Sequence, residues 1–249
     1  MKRLILLLVL LLTARPAMAA ENLVSGLSQD TIQITSSYNG AEIVVFGAIE
    51  RPASDAKPDI VVVVRGPEAE FRVRRKDRVA GIWINRNRVI LRGMPSYFFT
   101  ASSSPLSKTA SETVLRQYGL GLAMVTPHAT RGRHDPEPFR QALIRHQESS
   151  GLYLQRESSV QFLSGTLFRV RVPLPASAPR GKYTASVYLL RNGQVIDARS
   201  SYLSIDQAGL ERRVFDFSRA DPFAYGLSIV LMAVLLGWLS SLAFRRSGS

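Results

Sequence analysis

The 249-residue sequence contains no cysteine. Without thiols the folded chain forms no disulfide bond, uses no thiolate nucleophile and builds no Cys-based metal site. The long central segment, residues 20–222, must therefore be stabilised by packing. Its length suits one large domain or two small ones.

Charged residues are missing from an apolar segment near each end of the chain. The first, residues 4–12, follows Lys2 and Arg3 and precedes Ala17-Met18-Ala19, the order of a signal peptide with an A-x-A cleavage site. A run of nine residues is too short to cross a hydrocarbon core about 30 Å thick. We expect residues 1–19 to be a cleaved signal peptide, with an uncleaved N-terminal anchor as the alternative.

The second uncharged segment, residues 223–244, is 22 residues long. As a helix it spans roughly 33 Å, enough to cross a bilayer, and Arg245 and Arg246 follow it at once. The positive-inside rule places such a basic end in the cytoplasm. We expect a single-pass protein of the inner membrane, with residues 20–222 as a periplasmic body and residues 245–249 as a cytoplasmic tail.

Acidic residues are fewer than basic ones, 19 against 32, and the formal net charge is +13. Five of the basic residues lie in the two ends, which leaves 27 basic and 19 acidic residues in the body, a net charge of +8. A basic body suits an anionic membrane surface or an anionic ligand. Nucleic acid is a poor candidate partner for an exported, anchored protein.

The sequence contains no recognisable catalytic or metal-binding motif. No serine lies in a Gly-x-Ser-x-Gly elbow, and Gly119-Leu120-Gly121 lacks the rest of a phosphate-binding fingerprint. His128 and His134 lack a metal-ligand spacing, and Arg131 and Arg133 between them would oppose a cation. We expect no enzymatic activity, metal or cofactor; a triad assembled from distant residues is the open alternative.

The first half of the body predicts β-strands. Ile60–Val64 is a continuous β-branched run, typical of a strand buried on both faces. Asn39-Gly40 predicts a turn between strands over residues 31–35 and 42–49. Asn85-Arg86-Asn87 resembles a second turn between two apolar runs.

The middle of the body, residues 105–150, predicts a helical insertion, with Ser111 as a helix cap. The last third returns to strands: a proline-rich loop, then Gly181-Lys182-Tyr183, then a hairpin turn at Asn192-Gly193. The last strands of many immunoglobulin-like sandwiches have this order, with a tyrosine that buries its ring while its hydroxyl finds a backbone partner. We predict a mainly β fold, one immunoglobulin-like sandwich or two small ones, with this insertion and one C-terminal transmembrane helix.

The densest basic cluster consists of Arg72, Arg74, Arg75, Lys76 and Arg78. On a strand, Arg72, Arg74 and Lys76 share one face while Arg75 lies on the other. Guanidinium groups match the oxygens of a sulfur oxyanion or a lipid phosphate. The cluster is a candidate anion-binding site, and a solvated edge strand protected by charge is the alternative.

Two small residues in the apolar C-terminal segment, Gly237 and Ser241, are four positions apart. Small residues at this spacing let two membrane helices approach closely. They are candidate contacts to a partner helix.

Six stretches spread over nearly the whole mature chain carry a family resemblance: Leu27–Ile34, Gly40–Ala48, Arg75–Asn85, Pro95–Phe98, Gly209–Arg212 and Tyr225–Leu227. Together they resemble a family of alphaproteobacterial transmembrane proteins of unknown function. The resemblance supplies no catalytic residues. It implies a single-span protein, often encoded beside a TauE/SafE-type sulfite or sulfonate exporter.

Two functions are therefore expected. The first is a membrane-anchored periplasmic accessory protein without enzymatic activity, which assists an integral membrane transporter of anions. The second is a periplasmic anion- or lipid-binding module that acts through the basic cluster Arg72–Arg78.

Overall fold

The computed structural model describes residues 22–35, 38–50, 58–79, 81–207, 214 and 217–245. The expected signal peptide, residues 1–19, and the end of the expected tail, residues 246–249, lie outside the described residues. The described residues fall into two compact units. The β-rich unit contains residues 22–32 and 38–205, and the second unit contains the C-terminal helix.

The structure gives bounds for thirteen strands and four α-helices. The strands are β1 (Asn22–Leu27), β2 (Thr31–Ile34), β3 (Gly40–Glu50), β4 (Asp59–Arg65), β5 (Glu68–Val79), β6 (Ile82–Pro95), β7 (Phe98–Ser102), β8 (Ala129–Arg131), β9 (Tyr153–Arg156), β10 (Gln161–Phe162), β11 (Leu167–Pro175), β12 (Gly181–Arg191) and β13 (Gln194–Gln207). The helices are α1 (Leu106–Thr109), α2 (Glu112–Tyr118), α3 (Glu137–Ser149) and α4 (Pro222–Arg245), with a 3₁₀ turn at Leu122–Met124.

These strands make three sheets. The first has the order β1-β3-β11-β10, the second β2-β13-β12-β4-β7-β9, and the third β5-β6-β8. The pairing of β7 with β9 is parallel, whereas β5 pairs with β6 and β6 with β8 antiparallel. The predicted mainly β fold with a helical insertion is confirmed, and the immunoglobulin-like detail stays a prediction.

The core is built on both faces of β4. Every residue of Ile60–Val64 is at most 2% exposed, so the predicted strand buried on both faces is confirmed. Val61 and Val63 belong to a core cluster that the third sheet and the helical insertion complete, with Leu91, Leu115 and Phe139 among its members. The third sheet therefore has one face on the core.

The turn after β12 and the buried tyrosine near the start of β12 agree with the predictions from the sequence. Arg191 pairs with Gln194 across the two-residue turn, and Asn192 and Gly193 have φ values of 51° and 77°. Tyr183 is fully buried, and its hydroxyl donates a hydrogen bond of 2.6 Å to the carbonyl oxygen of Pro179. Both features follow from residues that are neighbours in the chain.

Neither of two other predicted turns joins a pair of hydrogen-bonded strands. Asn39-Gly40 does not join paired strands, because β2 lies in the second sheet and β3 in the first. Asn85-Arg86-Asn87 is a bulge within β6: Arg75 pairs with Asn87 and Lys76 with Asn85. The extra residue disturbs the ladder, and the strand continues. The reversal of the chain comes earlier, at Gly81, whose φ is 85°.

The helix α4 is 24 residues long, close to the predicted segment 223–244. Its stretch Pro222–Ser240 has a mean hydropathy of 2.0 and none of it is buried. Among the described residues it is the one helix long and apolar enough to cross a membrane.

Candidate anion-binding cleft

An open cleft of about 770 Å³ lies on the face of the third sheet that points away from the core. Strand β6 and the segment that starts with β8 supply most of its lining, and β5 supplies one side chain. The cleft is lined by Arg74, Asn85, Arg88, Ile90, Arg131, Gly132, Arg133 and His134.

Strand register brings the basic side chains together. Arg74 on β5 lies directly opposite Arg88 on β6, and Arg131 on β8 lies opposite Ile90 on β6. Because Arg88 and Ile90 are two positions apart on one strand, their side chains point to the same face. The three arginines therefore share the surface that forms the floor of the cleft.

The opposite face of the same strands fixes this orientation. Val73 pairs with Val89, and Phe71 pairs with Leu91. Val89 and Leu91 are at most 1% exposed, and both valines contact the core cluster. A one-residue slip would expose these side chains and bury the arginines, so hydrophobic burial sets the register of the cleft.

The wall of the cleft follows β8. A Cβ atom on Gly132 would lie 3.0 Å from Val89 Cγ2 and 3.1 Å from the Arg88 carbonyl oxygen, so a residue without a side chain lets this segment approach β6 closely. The His134 ring stacks on Phe139, with 6.4 Å between the ring centroids. Phe139 is a buried residue of α3, which ties the wall to the core.

The helix α3 is fixed in turn by Arg140. This side chain donates hydrogen bonds to the carbonyl oxygens of Ala123 and Val125, at 3.2 and 2.8 Å. It also forms two hydrogen bonds with the Glu137 carboxylate, at 2.6 and 2.8 Å, which hold the pKa of Glu137 down at about 2. These hydrogen bonds therefore hold in place the helix that packs against the wall of the cleft.

The cleft has an excess of positive charge. Its lining contains no carboxylate, and within the described part of the chain none of Arg74, Arg88, Arg131 and Arg133 has an ion-pair partner. The nearby Glu70 is already bound by Arg92 and Arg72, whose hydrogen bonds lower its pKa. Protection of an edge strand would explain arginines on β5 and β8, but Arg88 lies on the middle strand. An oxyanion at the centre of these groups would relieve their mutual repulsion.

The structure distributes the five basic residues predicted from sequence over different surroundings. Only Arg74 lines the cleft. Arg72 is paired with Glu70 at 3.2 Å, and Arg75 lies on the opposite face, 3.1 Å from Asp77. Lys76 and Arg78 are exposed on the Arg74 face, towards the hairpin turn; their strand register is Lys76 with Asn85 and Arg78 with Trp83.

Sequence reasoning missed Arg88, Arg131, Arg133, His134 and Asn85 as members of the same site. The signal in the sequence was the run Arg131-Gly132-Arg133-His134. Its positive charge argues against a bound cation and favours an anion. Their meeting depends on the pairing of β8 with β6, between segments far apart in the chain.

Two other titratable groups, both tyrosines, have a structural role. Burial raises the pKa of Tyr97 and Tyr153, and their hydroxyls donate to the carbonyl oxygens of Pro173 and Pro95. Over the described ranges, no group of three or more His, Asp or Glu residues could hold a metal ion. On the exposed helix α4, a Cβ atom on Gly237 would meet nothing within 4 Å among the described residues, and the side chain of Ser241 is not among those described.

The fold and the apolar helix define a mainly β protein with one candidate membrane span at its C-terminal end. The sequence of residues 22–246 matches the family described as "Putative transmembrane protein (Alph_Pro_TM)", and the chain belongs to this family. Comparison with curated proteins finds no significant match.

Among solved structures, the chain is similar to Spo0M, a sporulation control protein from Bacillus subtilis, with 9% identity and a TM-score of 0.29. The likeness covers 81% of this chain and 56% of that one.

Proposed function

We propose that the protein is a membrane-anchored, non-enzymatic module whose periplasmic body binds an oxyanion in the arginine cleft. The observation that supports this is the cross-strand pair Arg74 and Arg88, joined by Arg131 and Arg133 with no carboxylate in the lining. A guanidinium group can donate two parallel hydrogen bonds to the oxygens of a sulfate-like or phosphate-like ion. A cleft open on one side suits reversible binding better than permanent enclosure.

The test is a calorimetric titration of the full-length chain, in a non-ionic detergent, with sulfite, sulfate and inorganic phosphate. We expect saturable binding of at least one of them. The variant Arg88→Gln should bind about tenfold or more weakly, since a hydrogen bond to a charged group contributes about 1.5–3 kcal/mol.

The matched control is Arg171→Gln, which removes the same charge from an exposed position on β11 in the first sheet. It should bind as the unmodified chain does. Absence of binding for all three anions contradicts the proposal, and so does an equal loss in the control variant.

A second candidate function is assistance to an integral membrane transporter that exports sulfite or sulfonate. The cleft supports it because such substrates are oxyanions, and α4 offers Gly237 on an exposed helix. The test is affinity purification of the chain, tagged after Ser249, from native membranes after crosslinking, with mass spectrometry of bound proteins. A stoichiometric transporter that is lost when α4 is exchanged for an unrelated apolar span would support it, and recovery without any transporter would contradict it.

A further inference from the structure

The tip of the β5–β6 hairpin exposes three consecutive large apolar side chains. Ile82, Trp83 and Ile84, called the hairpin tip below, are 67%, 65% and 42% exposed. Among the described side chains of β6, the first buried one is Val89. The tip therefore takes no part in the core of the β-rich unit.

These apolar side chains point to both faces of the hairpin. Ile82 and Ile84 lie on one face, and Trp83 lies on the other, because alternate residues of a strand point to opposite sides. A hairpin that packed on another protein would need one apolar face. Apolar groups on both faces suit a medium that surrounds the tip, and tryptophan is enriched where hydrocarbon meets headgroups.

One cation lies beside Trp83, and a second lies behind the hairpin tip. Arg78 lies opposite Trp83, and Lys76 lies opposite Asn85, all on one face of the hairpin. Asp77 lies on the other face and is bound by Arg75 and Asn87, at 3.1 and 2.6 Å.

The spacing of these groups matches a bilayer surface. At about 3.3 Å per residue, Lys76 lies about 7 Å behind Trp83 along the hairpin. This is about the thickness of one headgroup layer, roughly 5–8 Å. With Trp83 at the hydrocarbon boundary, Lys76 falls within the layer of lipid phosphates, and Arg78, level with Trp83, reaches this layer through its long side chain.

We infer that the hairpin tip inserts into the headgroup layer of an anionic bilayer, with Lys76 and Arg78 on the lipid phosphates. The chain belongs to a transmembrane family, so a lipid surface is always near, and tethering raises its effective concentration. Cations beside an anionic surface are attracted to its lipid phosphates. This surface differs from the cleft, and its role does not depend on the proposed binding of an oxyanion there.

The experiment uses the two tryptophans of the chain, Trp83 and Trp238. In a full-length Trp238→Phe variant, Trp83 is the single fluorophore. The protein is reconstituted in nanodiscs of phosphatidylcholine, with or without phosphatidylglycerol. With phosphatidylglycerol we expect emission at shorter wavelength, quenching by lipids with brominated chains, and weaker quenching by acrylamide; added salt should reduce all three changes.

Two pairs of charge reversals, made in the Trp238→Phe background, separate the tip from general charge. Lys76→Glu with Arg78→Glu should abolish the response to phosphatidylglycerol. Lys108→Glu with Arg145→Glu changes the net charge equally at exposed positions outside the hairpin and should retain it. Circular dichroism should show the same folded spectrum for both pairs, because all four side chains are exposed.

Three outcomes would overturn the inference. The first is equal emission and acrylamide quenching in both kinds of nanodisc. The second is equal loss of the response in the two charge-reversal pairs. The third is protection of Trp83 that grows with the number of chains per disc without quenching by brominated lipid, which would assign the tip to a second copy of this chain.

Discussion

Arg74 on β5 and Arg88 on β6 are directly opposite each other in an antiparallel ladder, with neither side chain paired to a carboxylate among the described residues. Like charges in this position destabilise a sheet, whereas opposite charges would stabilise it. The arrangement therefore weakens the free protein slightly and favours an anionic ligand.

The first prediction is a gain in stability on neutralising this pair. Arg88→Gln should raise the free energy of unfolding in the absence of added anions by about 0.2–1 kcal/mol. The gain should shrink as salt screens the repulsion. Denaturant unfolding at low and high sodium chloride measures both effects.

The comparison variant for that prediction is Arg171→Gln. It removes an exposed ion pair, 3.7 Å long, between Arg171 and Glu42. It should leave stability unchanged or lower it slightly. If Arg88→Gln destabilises the protein as much as a core substitution, the side chain has a structural role and the repulsion argument is wrong.

A second prediction concerns the tyrosine at the start of β12. Tyr183→Phe removes the hydrogen bond to the Pro179 carbonyl oxygen while keeping the buried ring. We expect a loss of about 0.5–1.5 kcal/mol of unfolding free energy, measured by denaturant titration. Tyr202→Phe, on the neighbouring β13 at a 70% exposed position, should change it little. Equal effects would show that the hydroxyl of Tyr183 contributes nothing specific.

Features determined by adjacent residues could be predicted from the sequence. Ile60–Val64 is apolar at every position, and this run by itself predicts a strand buried on both faces. Asn192-Gly193 accepts positive φ at both turn positions, which closes the β12–β13 hairpin locally. The apolar run of α4 is a local signal as well.

Features that depend on distant pairing could not be predicted. Asn39-Gly40 has the same residue types as the later turn, but β2 lies beside β13 while β3 lies between β1 and β11. The cleft was missed for the same reason. Its arginines come from β5, β6 and the segment at β8, and only Arg74 falls within the cluster that looked basic in sequence.

A third prediction tests the close packing of the first sheet. A Cβ atom on Gly47 of β3 would lie 2.5 Å from the Val24 carbonyl oxygen and 2.6 Å from Phe168 Cζ. Because the Phe168 ring is fully buried, it has little room to move. Gly47→Ala should destabilise the protein by about 1–3 kcal/mol in thermal or denaturant unfolding.

Gly165→Ala is the matched control for that substitution. A Cβ atom at Gly165 meets nothing within 4 Å, and its backbone lies outside the left-handed region. This variant should be neutral, or more stable by about 0.4–1 kcal/mol because the unfolded chain loses freedom. Destabilisation of both variants to the same extent would contradict the packing argument.

The last prediction follows from the ion pair that braces α3. Hydrogen bonds from Arg140 lower the pKa of Glu137 to about 2, below the value of about 4.3 for an unfolded glutamate. A depressed pKa means that the pair stabilises the fold above about pH 4.3 and loses this effect as the pH falls towards 2. Glu137→Gln should therefore lower the melting temperature at neutral pH, and the gap to the unmodified protein should close in that acid range. The Glu137 side chain is 47% exposed, so screening by water keeps the gap small. Glu148→Gln, an exposed position on the same helix, should show no comparable closing of the gap when melting curves are recorded across the range. A gap for Glu137→Gln that persists unchanged at the lowest pH would show that lost packing, and not the charge on Glu137, explains its effect.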